Sequence, residues 1–205
     1  MSADPDPLSR SVAYMLVCLD GVRTEHLRRL TPCSKWDLAA LLLHLDDSLV
    51  TLGALPVTAA APDAEPHLAS IEGALDARAA LGSVRLRLAD LQGDVPGAGA
   101  SPILAEGLEP PLRLPATTVA AVAALECAVH GWDIAQTCDT RAPIPGPLSA
   151  DLLEVAHRLA PEHIRAGLFA APVPVTSEAT ASDRLVAYLG RRPFIAAALA
   201  RRSAR

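Results

Sequence analysis

Aromatic residues are scarce in this chain: two Trp, two Tyr and two Phe make up 3% of its 205 residues. That excludes the stacking platforms on which single-stranded nucleic acids are bound. There is no basic excess either, because 18 Lys and Arg stand against 23 Asp and Glu, for a net charge of -5. A surface that binds phosphate backbones gains affinity by displacing counterions, which needs such an excess, so no nucleic-acid partner is expected. No apolar run reaches the roughly 18 to 20 residues of a membrane span without interruption by charge or Pro, so no membrane partner is expected. Residues 1–10 carry two Asp and two Pro where a secretory leader carries a basic stretch and an apolar core. Only four cysteines are present, Cys18, Cys33, Cys127 and Cys138, and none has metal-type spacing. The expectation is a cytoplasmic protein with reduced thiols.

What the chain does have is apolar residues, 51% against 20% charged. That excludes disorder and implies a packed core, which with so few aromatics must be built from Ala, Leu and Val. The length suits one domain, or a domain with a small appended lobe.

Apolar periodicity predicts mostly helix. Val12, Leu16, Leu19, Val22, Leu27 and Leu30 predict a first helix over 8–30. Ser34, with Asp37 three residues on, reads as the start of a second, in which Leu38, Leu42, Leu45, Leu49 and Leu52 share a narrow arc until Gly53 and Pro56 close it. The Ala- and Pro-rich stretch 55–66 reads as a long connection. A third helix is expected over 67–91, with Ile71, Leu75, Leu81, Val84, Leu88 and Leu91 inward. Dense Gly and Pro over 92–115 read as a second crossover, with an extended piece near Leu112 and Leu114. Thr117 or Thr118 would cap a fourth helix running to Cys138, and 141–147 breaks it. After that come a helix with Leu152, Leu153, Val155, Ala156 and Leu159, an extended piece at 172–175, a short helix over 182–189 stopped by Gly190, and an Arg-rich tail. The fold class is therefore all-α: a four-helix bundle with long crossovers over 1–147 and a short helical extension over 148–205. An Ala-rich bundle is compatible with a homodimer, though no residue specifies its face.

The fourth helix is apolar nearly all round, which marks it as the buried member. Glu126, His130, Asp133 and Thr137 nevertheless fall on one narrow stripe of it. A carboxylate and an imidazole four residues apart have Cβ atoms about 6 Å apart on one face, which suits chelation of a single ion. A desolvated carboxylate must otherwise be paired or protonated, at a cost of several kcal/mol. His44 lies at the flank of the Leu stripe on the second helix and offers a third ligand. His44, Glu126 and His130 would leave a position open for water or substrate, as catalytic zinc sites do, and Asp133 would orient His130. Taken singly these residues have plainer readings: His44 as a core-edge histidine, and Glu126 with His130 as a helix-surface pair. His26, His67, His157 and His163 read as surface residues, and Asp46-Asp47 as a solvated face. Two nitrogens and a carboxylate also accept nickel, iron or manganese. Both imidazoles must be neutral to bind an ion, so affinity is expected to fall as pH drops through and below about 6.5.

Three motifs carry a resemblance. Leu30-Thr-Pro-Cys-Ser-Lys-Trp-Asp-Leu38 followed by His44, Glu126-Cys-Ala-Val-His130-Gly-Trp-Asp-Ile-Ala135, and Asp183 to Pro193 with its Leu-Gly-Arg-Arg-Pro end occur in that order. Together they resemble the DinB-like, mycothiol-dependent maleylpyruvate isomerase N-terminal domain family, common in actinobacteria. The resemblance implies an up-down-down-up bundle holding a divalent metal, usually Zn2+, on His44, Glu126 and His130. It also implies use of a low-molecular-weight thiol, mycothiol, in isomerisation or S-transfer on a small-molecule substrate. Asp133 and Arg191 are the candidate catalytic residues, Asp133 as support for His130 and Arg191 for an acidic group of substrate or thiol. The chain departs from the isomerase after residue 148, where only a short piece follows. A metal-bearing binding or regulatory module without turnover, and a thiol-independent metal hydrolase, remain as alternatives.

Overall fold

The computed structural model describes residues 5–33, 36–54, 71–93, 103–105, 112–165 and 169–193. Among these it is mostly helical, with six α-helices, one 3-10 turn and one small antiparallel pair. The chain divides into two compact units, Met1–Ala142 and Pro143–Arg205.

In the first unit, α1 spans Pro7–Leu19. The Asp6 carboxylate caps it, accepting from the backbone N–H of Leu8 and Ser9 at 2.9 and 3.1 Å, while Pro7 stands where no N–H is needed. The helix stops eleven residues short of the expected end at Leu30. The chain turns at Gly21, where a Cβ would lie 2.9 Å from the Thr140 methyl group and 3.7 Å from Cys138 Cβ, so the backbone leaves the helix against the segment around Cys138 and Thr140. The apolar periodicity runs on through other geometry: Thr24–His26 form a 3-10 turn, Leu27 is buried, and Leu30 is 73% exposed. His26, expected at the surface, is buried instead, with Nδ1 accepting from the Arg23 N–H at 3.4 Å.

Helix α2 spans Leu38–Ala54. Its first turn is capped by Asp37, whose Oδ1 accepts from the Ala40 N–H at 2.9 Å. Ser34, the expected cap, lies outside the described residues, as do the connection 55–66 and His67. Leu38, Leu42, Leu45 and Leu49 are all buried, as their arc requires. Asp46, expected to be solvated, is held by Arg87 at 2.8 Å. Helix α3 spans Ile71–Gly93, with Val84 and Leu88 inward beside Ala77 and Ala80. Within the expected crossover, β1 (Ile103–Ala105) pairs antiparallel with β2 (Leu112–Leu114), Leu104 opposite Arg113.

Helix α4 spans Ala116–Thr137. It follows Pro115 directly, so Thr117 and Thr118 lie inside its first turn and neither caps it. By length and composition it could cross a membrane, but Glu126 and Asp133 interrupt it, as the sequence reading has it, and 72% of its apolar window is buried within the protein. Helix α1 packs on α4 and α3, and α2 packs on α3 and α4, so α4 is covered from two sides. The α1–α4 approach is close: a Cβ on Gly131 would meet the Tyr14 ring at 3.1 and 3.2 Å and Met15 Cα at 3.4 Å.

In the second unit, α5 (Gly146–Leu159) packs on α6 (Ala181–Tyr188). Thr180 and Asp183 form a reciprocal cap: Asp183 N–H donates to Thr180 Oγ1, and Thr180 N–H donates to Asp183 Oδ2, both at 3.1 Å. Gly190 ends this segment at φ +82°, against Ala170, where a Cβ would come within 2.9 Å of three Ala170 atoms. The 172–175 piece, expected to be extended, forms no strand, though the Val173 N–H donates to the Ala187 carbonyl at 2.9 Å. His157 and His163 are exposed, as expected. The Arg-rich tail lies outside the described residues.

Candidate metal centre

Two helices supply the site, α2 from below His44 and α4 through its polar stripe. The 3.6-residue period sets Glu126 and His130 one turn apart, and Asp133 and Thr137 continue the same line. His44 Nε2 lies 2.9 Å from Glu126 Oε1, and His130 Nε2 lies 3.3 Å from the same oxygen. One oxygen therefore faces two imidazole nitrogens, and the ligand atoms of His44, Glu126 and His130 all fall within 4.8 Å of one another. On the far side of the ring, His130 Nδ1 is 3.0 Å from Asp133 Oδ2. Asp133 is fully buried, which fixes the ring and leaves Nε2 facing Glu126. Thr137 closes the stripe by donating from Oγ1 to the Asp133 carbonyl at 2.8 Å, inside the helix.

Electrostatics follow from this packing. Burial by itself would push the Glu126 carboxyl up, but His130 and then His44 outweigh it and hold the group far below the usual carboxylate range. Burial by itself would lower the His130 pKa, yet the Glu126 charge, with help from Asp133, raises it to about 9. The cluster thus behaves as an anion held by imidazole N–H groups, and a divalent ion would take the place of those protons.

The donor chemistry fits such an ion: two imidazole nitrogens and one carboxylate oxygen converge, and one imidazole has its second nitrogen held by a buried carboxylate. The site is reached from one side. Side-chain exposure is 8% at His130 but 20% at His44 and 26% at Glu126, so solvent meets the edge formed by the last two.

Two residues at this edge were not read as site residues from the sequence, although Trp36 stands in the first of the three motifs. Trp36 covers His44, with ring centroids 4.2 Å apart, and lies 6.2 Å from the His130 ring. The loop before α2 places it there: Thr31 N–H donates to the Trp36 carbonyl at 3.0 Å, and Thr31 Oγ1 donates to the same oxygen at 2.9 Å. Ser48, one helical turn beyond His44, has its Oγ 3.4 Å from His44 Nε2. Its signal was the i, i+4 spacing from a candidate ligand.

The structure brings together His44, Glu126, His130 and Asp133. Arg191 belongs to the second unit, where it is buried with its backbone N–H bonded to the Val186 carbonyl at 2.9 Å and Nη1 turned to the Leu189 carbonyl at 3.4 Å. Cys127 neighbours Glu126 in sequence but does not join the cluster; it is buried, and burial first and the Glu126 charge second push its thiol well above the usual range. An open depression of about 380 Å³ lined by Val22, Arg23, Thr24, Ala77, Arg78 and Leu81 contains none of the cluster residues. No protein-family model, curated protein or solved structure matches the chain.

Proposed function

We propose that the chain is a metal-dependent enzyme of the DinB-like, mycothiol-dependent maleylpyruvate isomerase type, acting in thiol-dependent S-transfer or isomerisation of a small electrophilic molecule. In this reading α1 to α4 form the up-down-down-up bundle of that family, and His44, Glu126 and His130 hold a divalent ion, Zn2+ by preference. The observation that carries it is the convergence of the three ligand atoms within 4.8 Å, with no fourth His, Cys, Asp or Glu among the described residues joining them. Three protein ligands leave room for an exogenous one, whereas a structural zinc site is closed by four. The motif resemblance supplies the thiol part of the reading.

A bound divalent ion lowers the pKa of a thiol and presents it as a nucleophilic thiolate. The protein's part is positional. Glu126 supplies the anionic ligand, Asp133 fixes the His130 ring, and Trp36 shields the face of His44 from water.

Elemental analysis of the purified protein, coupled to thiol-dependent consumption of a panel of electrophiles, tests the proposal. The wild type is expected to carry about one ion per chain, and Glu126→Ala to lose both ion and turnover. Turnover that persists without bound metal sinks the scheme. Turnover that needs the ion but no added thiol selects the hydrolase, and bound ion with no turnover selects the binding module.

A further inference from the structure

We infer that Ser48 is a positioning residue for the exogenous ligand, donating a hydrogen bond to the anion that occupies the open position beside His44. The inference rests on the metal reading above and adds to it a protein contact with the incoming ligand. In the metal-free protein, His44 Nε2 must carry a proton to bond Glu126 Oε1 at 2.9 Å, and Ser48 Oγ lies 3.4 Å from that same nitrogen. Ser48 thus approaches the ligand edge of the ring. Once Nε2 gives its lone pair to an ion, it can neither donate to nor accept from the hydroxyl, so Ser48 loses this partner while staying at the edge of the site.

Two features make this edge the place where the ligand arrives. Glu126 and His44 are the exposed members of the cluster, at 26% and 20%, and Trp36 already covers one flank of His44. Among the described residues, the contacts around His44 Nε2 comprise Glu126, which is a ligand itself, and Ser48, which is not. A hydroxyl has one O–H to give and two lone pairs, so it can donate to an anionic oxygen or sulfur without cost in charge. The competing role is purely local: a helical Ser can donate to the carbonyl four residues back, here that of His44, in which case its loss affects the helix and not the ligand.

Cobalt serves as a visible stand-in for zinc, and 2-mercaptoethanol and azide serve as the probe anions. Wild type, Ser48→Ala and Ser48→Thr are loaded with Co2+, and each is titrated with each probe while the visible and near-ultraviolet absorption is followed. Ser48→Ala is expected to keep its cobalt affinity and thermal midpoint but to bind both probes about tenfold more weakly, as loss of a hydrogen bond to an anion predicts. Ser48→Thr, which keeps the hydroxyl, is expected to restore binding. Equal probe affinity in wild type and Ser48→Ala, both loaded with cobalt, overturns the role of Ser48 and leaves the metal reading standing. Failure of the wild type to bind cobalt overturns both. A lowered midpoint in Ser48→Ala with unchanged probe affinity assigns the hydroxyl to the helix alone and likewise overturns the inference.

Discussion

Lowering the pH from 8.5 to 7.0 should weaken metal binding by roughly 25-fold, through His130 alone. The structure sets this window. Glu126 Oε1 at 3.3 Å and Asp133 Oδ2 at 3.0 Å hold the His130 imidazolium against the effect of burial and raise its pKa to about 9. An ion needs the Nε2 lone pair, so one proton must leave His130 for each ion bound. Below pH 9 that competition costs about tenfold in affinity, or about 1.4 kcal/mol, per pH unit. The sequence alone suggested a window near 6.5, and the neighbouring carboxylates move it upward. Between about pH 6.5 and 9, stability should fall with rising pH in the metal-free form and stay level in the loaded one, whose His130 is neutral in both folded and unfolded states. The folded pKa of His130 exceeds its unfolded value, so in the metal-free protein its contribution is complete below about pH 6.5 and is lost as pH rises through about 9. The loaded protein gains affinity over the same range, and ion at a hundred times its dissociation constant adds about 2.7 kcal/mol. The gap in melting temperature between loaded and chelated protein should therefore widen from pH 6.5 to 9. Competition titration against a chromophoric chelator, corrected for the chelator's own protons, measures the affinity; calorimetry measures the gap. A flat affinity between pH 7.0 and 8.5 would show that His130 is already neutral and that its pairing with Glu126 has been misread. Equal chelator sensitivity in the wild type and in a His44→Ala, His130→Ala double variant would refute the site itself.

Asp133→Asn keeps the shape of the side chain but removes the charge that orients His130, and should weaken metal binding by about 10- to 100-fold in the same titration. Gly131→Ala places a methyl group 3.1 Å from a Tyr14 ring whose hydroxyl is tied to the Ala142 carbonyl at 2.8 Å, so the ring has little room to yield. Overpacking of about 1 to 3 kcal/mol should exceed the roughly 1 kcal/mol gained in helix propensity, and urea unfolding should show a net loss. Asp37→Ala removes the acceptor for the Ala40 N–H and should cost about 1 kcal/mol, read as a lower denaturation midpoint with unchanged slope.

Local periodicity determined much of what is seen. The Leu arc of α2 and the apolar girth of α4 announce both helices, because burial of one helical face repeats every 3.6 residues whatever the rest of the chain does. The ligand set was legible for the same reason: Glu126, His130 and Asp133 are neighbours by helical geometry, and a polar stripe on an otherwise apolar helix needs compensation. What the pattern could not show is where contacts between elements interrupt it. Val22, Leu27 and Leu30 continue the period of α1, yet the chain leaves the helix at Gly21, where it meets Thr140, more than a hundred residues away. Gln92 to Pro115 read as a crossover with an extended piece near Leu112 and Leu114, but its partner, Ile103–Ala105, was not legible, since a strand exists only with its partner and the pairing is set across the turn.

The meeting of α2 and α4 is likewise a tertiary fact. The sequence offered His44 as one histidine beside a run of leucines, and helix packing brought its Nε2 to 2.9 Å from Glu126. The same packing set Trp36 and Ser48 at its edge and raised the His130 pKa through charges that a linear reading cannot sum. Residue type and helical spacing determined which groups can bind an ion. Only the folded chain decided how close they come, what they do to one another's protons, and from which side a ligand enters, because those depend on distances across helices that no local period encodes.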